Sequence, residues 1–338
     1  MTLNDIGFPS QSRQVEIQRR IALLRARIND TTDEAVTGRL SDPARSRNGR
    51  IAGILEMEKS LSDLGHYGEI IALSETRAMM TQTSLDQIRE LVISTTTTAQ
   101  TALAANSKVP LETVSQTAHQ NLAATISNLN VALGGRSLFA GDAGDRGALV
   151  DIDTLRTATV PLLEAGPDAA TAYAAIDAAF TAPGGLFETT LYTGGIADAP
   201  ATEVATGERI GYAIRGDDEQ LRPVLRDLAV LAAAFDPTNA ITDADRAKLA
   251  GLAVDGLRNS VDGLAGLSAR VGTAEQRIAR VKARNIAEEA ALTISYNNIA
   301  GRDQFSAVAE LKSLEGQLES LFVTTTRIAN LSLTQFLR

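Results

Sequence analysis

The chain lacks cysteine and tryptophan altogether. Disulfide staples, thiolate catalysis and Cys-ligated metals are therefore excluded. A cysteine-free chain suits the cytosol, and it equally suits export to an oxidising exterior, where it runs no risk of misbridging. Aromatic residues make up only 4% of a chain that is 44% hydrophobic. That balance favours helix packing over an aromatic-rich sheet core or a ligand cleft. Histidine occurs only at His66 and His119, both on helical stretches, where surface or packing roles outweigh catalytic ones. The longest apolar run, 228–235, falls far short of the ~20 residues of a membrane helix. Residues 1–14 show no basic segment leading into an apolar one, so no Sec-type signal is expected. No proline follows Pro237, and the last hundred residues are free to form long helices.

What is present is uneven. Net charge is −9, distributed as +3 over residues 1–50, −3 over 51–141, −10 over 142–250 and +1 over 251–338. The acidity sits in the middle and reads as a solvated face. It argues against nucleic acid as a partner of the whole chain. Six of the nine prolines and six of the thirteen aromatics also fall in 142–250.

The helical pattern begins near Ser10. Ile17, Ile21, Leu24, Ile28, Thr31 and Ala35 follow 4-3 spacing, a narrow heptad-like seam that is marginal as an isolated helix. Gly38 can end it. Asp42 and Pro43 supply an N-cap and a first-turn proline for a second helix running towards Asn106. Along it lie Ile51, Ile54, Leu55, Leu61, Leu64, Ile70, Leu73, Met80, Leu85, Ile88, Leu91 and Val92. The run Thr95–Thr98 is poor helix material and predicts fraying. A third helix is expected from Pro110 to Leu133, stopped by Gly134-Gly135. The middle predicts strands at Leu186–Tyr192 and Glu203–Ile214 and short helices at Ala169–Phe180 and Glu219–Ala234. From Asp243 a return helix carries Leu249, Leu252, Leu257, Val261, Leu264, Leu267, Val271, Ile278 and Val281. A further 4-3 seam, Leu311, Leu314, Leu318, Leu321, Thr325 and Ile328, is out of phase with it, which marks a hinge at Gly301–Asp303.

The fold class expected is mainly α: a long-helix coiled-coil bundle built from both chain ends, with a small inserted α+β domain. The expected division is 1–41 plus 303–338 as a terminal coiled coil, 42–141 plus 243–302 as a bundle, and 142–242 as a solvent-facing insert. No catalytic residues, cofactor or metal are expected. Asp142, Asp145, Asp151 and Asp153 lack EF-hand spacing, the glycine pairs do not form a phosphate cradle, and Arg215-Gly216-Asp217 reads as a turn.

Four stretches resemble the bacterial flagellin family, most closely its hook–filament junction branch. Thr37-Gly38-Arg39-Leu40-Ser41-Asp42-Pro43 is similar to the family's turn before the long helix. The segment Leu85 to Val92, with Ile88, Arg89, Glu90 and Leu91, resembles its LQRIRELAVQ stretch. Gly135-Arg136-Ser137-Leu138-Phe139-Ala140-Gly141 is similar to NGRYLFAG, and the ending from Ala329 to Leu337 resembles SLLNFL. The resemblance implies a structural flagellar protein, exported without a Sec signal and located outside the cell. It would form a ring or helical homo-oligomer, with the hook-side junction protein, filament flagellin and a flagellar export chaperone as partners, and with no nucleic-acid or membrane partner. The assembly interface it implies is Ile17, Ile21, Leu24, Ile28, Leu311, Leu314, Leu318, Leu321, Ile328, Leu333, Phe336 and Leu337. Alternatives are the major filament subunit and a cytoplasmic coiled-coil adaptor or signalling protein.

Overall fold

The computed structural model describes residues 9–42, 51–105, 108–211, 214–236 and 239–336. Helices dominate, and the described strands form only two small two-stranded sheets. The chain divides into two compact units, one from Met1–Gly65 with Ile286–Arg338 and one from His66–Asn285.

The first unit contains α1 (Pro9–Thr37) and α8 (Gln304–Phe336). It also holds the opening of α2 (Ile51–Ala105) and the end of α7 (Asp243–Ala300). Its described apolar cluster is small: Ile54, Tyr296 and Ala300 are buried, flanked by Met57, Leu61 and Ile299. The Tyr296 hydroxyl donates to Glu58 at 2.7 Å, and burial, followed by the adjacent Glu58 carboxylate, pushes that phenol upward.

The second unit has a continuous core drawn from all its helices. Along α2, Ile71, Ala78, Leu85, Val92 and Ala99 recur every seven residues. Ser74, Thr81, Ile88, Thr95 and Ala102 fall between them, and all ten are buried. Along α7 the same holds for Leu257, Leu264, Val271, Ile278 and Asn285, interleaved with Ala253, Ser260, Leu267, Ala274 and Val281. These are two true heptad seams. They run antiparallel, because Lys282 Nζ lies 2.7 Å from Glu75 and Asn285 lies against Gly68.

The Thr95–Thr98 run does not fray. Each hydroxyl donates to the carbonyl four residues back, at 2.7 Å for Thr95 and Thr96, 2.9 Å for Thr97 and 2.8 Å for Thr98. The polar groups are thereby satisfied inside the helix, and packing overrides propensity. Thr95 also accepts from Asn121 of α3 (Lys108–Leu129) at 2.6 Å.

Past α3 the chain turns through a hairpin, β1 (Ala132–Leu133) and β2 (Arg136–Ser137), paired in antiparallel register. Its two central residues, Gly134 and Gly135, both have positive φ, 60° and 77°, as a tight primed turn requires. The expected third helix therefore ends four residues early.

The insert then adds α4 (Ile152–Glu164) and α5 (Ala169–Thr181). Asp151 and Asp168 cap them, each accepting a backbone N–H at 2.8 Å, from Thr154 and Thr171. Those bonds hold both carboxyls below the usual range. Leu186–Tyr192 is not a strand: Phe187–Leu191 forms one π-helical turn. Phe187 and Leu191 are both fully buried, a four-residue spacing that a helical turn satisfies and strand alternation does not. Residues 203–214 contribute one hairpin rather than a single strand, β3 (Thr202–Ala205) with β4 (Glu208–Ile210).

Helix α6 (Arg222–Ala234) is the centre of this unit, with every residue from Val224 to Ala234 buried. It encloses a charged pair. Asp227 accepts from Arg226 Nε and Nη2, each at 2.8 Å, and from the Tyr173 hydroxyl at 2.8 Å. Asp177 completes the cluster against Arg226. Burial pushes Asp227 up to about 6 against the pull of Arg226. Gly256 of α7 leaves the room the carboxylate occupies, since a Cβ there would sit 2.1 Å from Asp227 Oδ2.

Candidate assembly interface

The two ends of the chain meet as an antiparallel helix pair, α1 against α8. Its direction is fixed by cross-contacts. The Arg25 guanidinium sits 5.9 Å from the Phe322 ring centre, Arg27 pairs with Glu310 at 3.2 Å, and Glu34 lies 3.5 Å from Arg302. The burial pattern follows the 4-3 stripes. On α1, Ile17, Ile21, Leu24 and Ile28 are half-buried and Thr31 is buried, while the residues between them up to Asp33 are exposed. On α8, Leu311, Leu318, Leu321 and Thr325 are half-buried, and Ala307 and Leu314 are buried. The stripes read from sequence therefore face each other within one chain.

A polar clamp closes the end of the pair near the 38–41 turn. Gly38, at φ 67°, ends α1. Leu40 N–H donates to Ala300 O and Arg302 N–H to Gly38 O, both at 2.9 Å. Arg302 joins the two helices by pairing with Glu34 and Glu310. Glu34 accepts in turn from Ser41 N–H at 3.1 Å and from Ser41 Oγ at 2.9 Å. Asp303 caps α8, and the Ser306 hydroxyl and N–H hold its carboxyl below the usual range. The sequence placed a hinge at Gly301–Asp303, and α7 does give way to α8 there. The clamp itself was missed. Its only signal was the recurrence of opposite charges, Arg27 and Glu34 on one helix with Arg302 and Glu310 on the other.

Because the seams are occupied by each other, apolar surface on other faces of this unit is what stays open. Phe305 is 89% exposed, Val36 76%, Val15 65% and Leu23 63%. Phe322, Val323 and Val308 are also exposed. Ile328, Leu333 and Phe336 belong to α8, but their side chains lie outside the described residues, as do Leu337 and Pro43.

The remaining motif residues separate into packed and surface positions. Asp42 is exposed ahead of α2. Ile88 is fully buried in the α2 seam, and Leu91 is half-buried beside it. Arg89 and Glu90 face outward, and Arg89 pairs with Asp86 at 3.9 Å rather than with Glu90. Gly135 makes the hairpin turn, Arg136 covers Gly144, Leu138 is half-buried and Phe139 is fully buried. Gly141 has φ 61°, and a Cβ there would meet Ala197 O at 2.4 Å. This motif is a buried corner, tied by Gly216 N–H to Phe139 O and Gly195 N–H to Ala140 O, both at 2.8 Å. Arg215 and Asp217 are paired with each other at 2.8 Å, which occupies the charged ends of the Arg-Gly-Asp tripeptide.

With this arrangement of helix pair, heptad bundle and insert in view, solved structures provide a direct comparison. Bacillus cereus FlgL superposes with a TM-score of 0.51 at 18% identity, over 70% of this chain and 97% of that one. The fold is that of FlgL. A Vibrio parahaemolyticus protein assigned to the flagellar hook-associated class superposes at 0.52 and 12% identity, over 74% of this chain and 98% of that one. No protein-family model and no curated protein matches the chain. The likeness to FlgL is thus carried by fold rather than by sequence, and it covers nearly the whole length of both solved chains. Among the described residues, no group of three or more His, Asp or Glu side chains could hold a metal ion. No described helix is long and apolar enough to cross a membrane.

Proposed function

We propose that this protein is a structural component of the bacterial flagellum that acts by polymerising at the junction between hook and filament. The observation that carries the reading is the match, over almost their full lengths, to FlgL and a hook-associated protein. It is joined by an α1–α8 pair that leaves Phe305, Val36, Val15 and Leu23 open. Two narrow seams cover one another, but a two-helix ribbon leaves its backs wet, and packing between neighbouring subunits covers them. A head-to-tail contact of this kind closes into a ring or extends as a helical array.

In this reading, residues 1–41 with 303–338 form the inner assembly layer, 42–141 with 243–302 form the bundle, and 142–242 faces solvent. The seam residues make the intrachain pair on which the assembly surface is built. The protein leaves the cell by type III export, accompanied by an export chaperone, and meets the hook-side junction protein below and filament flagellin above. It works outside the cell and has no catalytic role.

The test is removal of residues 303–338. The truncated chain is expected to lose incorporation into flagella while the His66–Asn285 unit keeps its helical signal. Hooks joined to filaments by the truncated chain would refute the reading. A high copy number along the filament would instead indicate the major filament subunit, and retention inside the cell would indicate an adaptor.

A further inference from the structure

On α2, Arg77 is half-buried, and among the described residues no hydrogen bond or ion pair engages its guanidinium. The other covered arginines of this unit are in a different state. Arg156, Arg215, Arg222, Arg226 and Arg246 each pair with a carboxylate. A guanidinium withdrawn from water gives up hydration that a paired acceptor normally replaces. Arg77 lines a cleft of about 50 Å³ with Ser74, Ser137, Leu138, Pro200 and Ile210. Ser137 is buried, and its hydroxyl has no hydrogen-bond partner either. The carboxylates on the elements around the cleft are committed elsewhere. Lys282 holds Glu75 at 2.7 Å, and Arg215 holds Asp198 at 3.6 Å. Glu203 accepts from Gly207 N–H at 3.3 Å, and Glu208 accepts from Arg284 at 2.5 Å. The acceptor that Arg77 lacks is therefore not supplied by its own surroundings.

We propose that this cleft is a socket for one aspartate or glutamate side chain from residues 142–250 of a second copy of this chain. The inference rests on the polymerising role proposed above and names one contact within it. Three observations select the occupant. The guanidinium fork matches a carboxylate through paired N–H donors. The cleft, at about 50 Å³, is far below the roughly 300 Å³ of an ordinary small-molecule pocket, so it admits a side-chain head and excludes a nucleotide or a peptide backbone. Leu138, Pro200 and Ile210 supply apolar walls for the side-chain stem. Charge selects the donor: residues 142–250 carry 18 acidic against 8 basic side chains, so a neighbouring copy offers a surplus of carboxylates to an unpaired cation. A contact between different patches of two copies is head-to-tail, as a ring or helical array requires.

The experiment is photocrosslinking of the full chain in flagella purified from the source bacterium. The probe is p-benzoylphenylalanine in place of Leu73, which is exposed one turn before Arg77 and leaves the arginine in place. Irradiation is expected to give a dimer-sized product whose crosslinked peptide maps to residues 142–250 of a second copy. Adding Arg77→Glu should lower its yield about tenfold, the loss of one charge-assisted contact. Arg77→Met, which introduces no repulsion, should lower it by a smaller but measurable factor. Both variants should melt at the parent temperature, because Arg77 holds no intrachain partner. Arg258→Glu, exposed on α7, should leave the yield unchanged. A product that maps outside 142–250 or to another protein would overturn the socket. So would parental yield in both Arg77 variants, or an equal fall in Arg258→Glu. If the chain is present in the flagella and gives no dimer, the socket fails and the polymerising role stands. If the chain is absent from them, both fail.

Discussion

Replacing Gly256 by alanine should reverse the ordinary rule for glycine inside a helix. In an open mid-helix position, Gly→Ala stabilises by about 1 kcal/mol. Gly266, on the same helix, is such a position, since a Cβ there meets nothing within 4 Å. At Gly256 the added Cβ falls 2.1 Å from Asp227 Oδ2, 2.7 Å from its Cγ and 2.9 Å from the Tyr173 hydroxyl. The carboxylate cannot swing aside. Its side chain is fully buried, and Arg226 holds it through two bonds of 2.8 Å and Tyr173 through a third of 2.8 Å. Overpacking costs roughly 1–3 kcal/mol, and a displaced buried ion pair adds to that. Set against the helix gain, the net loss is about 2 kcal/mol. In a unit of this size that lowers the melting temperature by about 4–8 °C. Calorimetry of the full chain should show this shift for Gly256→Ala and a small rise for Gly266→Ala. A Gly256→Ala protein as stable as the parent would refute the account of how α6 and α7 pack.

Two further outcomes follow from the same unit. Asp227 holds its proton more tightly in the folded chain, at about 6 against a reference of 3.8. Its contribution to stability is therefore fully present below about pH 3.8 and is lost as pH rises through about 6. Urea midpoints of Asp227→Asn across that window should lack this component of the pH slope. Gly141→Ala combines a left-handed backbone with a Cβ 2.4 Å from Ala197 O, and should cost about 3 kcal/mol, read as a lower urea midpoint at unchanged m-value.

The terminal stripes were legible in sequence because large aliphatic residues at 4-3 spacing, such as Ile17, Ile21, Leu24 and Ile28, stand out from polar neighbours. The α2 seam was less so. Six of its ten positions are Ser74, Ala78, Thr81, Thr95, Ala99 and Ala102, small residues that read as neutral, while the large aliphatics Leu55 and Leu73 are 58% and 53% exposed. Helices packed through small side chains hide their seam from a search for leucines. Helix α4 was missed because Pro161 lies within it and Asp151 and Asp153 resembled a polar loop, although Asp151 is its N-cap. The Arg226–Asp227 pair was also passed over. Charges beside an apolar run look like a helix edge, and only the three-dimensional arrangement shows that α6 is enclosed by other helices. The outward face of the α1–α8 pair was invisible for a different reason: which side of a helix stays wet is decided by what already covers the other side.

The central claim is that the chain serves at the junction between hook and filament. Electron microscopy of the source bacterium lacking this gene tests it most directly. The account predicts hooks without filaments, monomeric flagellin in the medium, and restoration by the full chain but not by a chain ending at residue 302. Filaments of normal number and length on the mutant cells would contradict it.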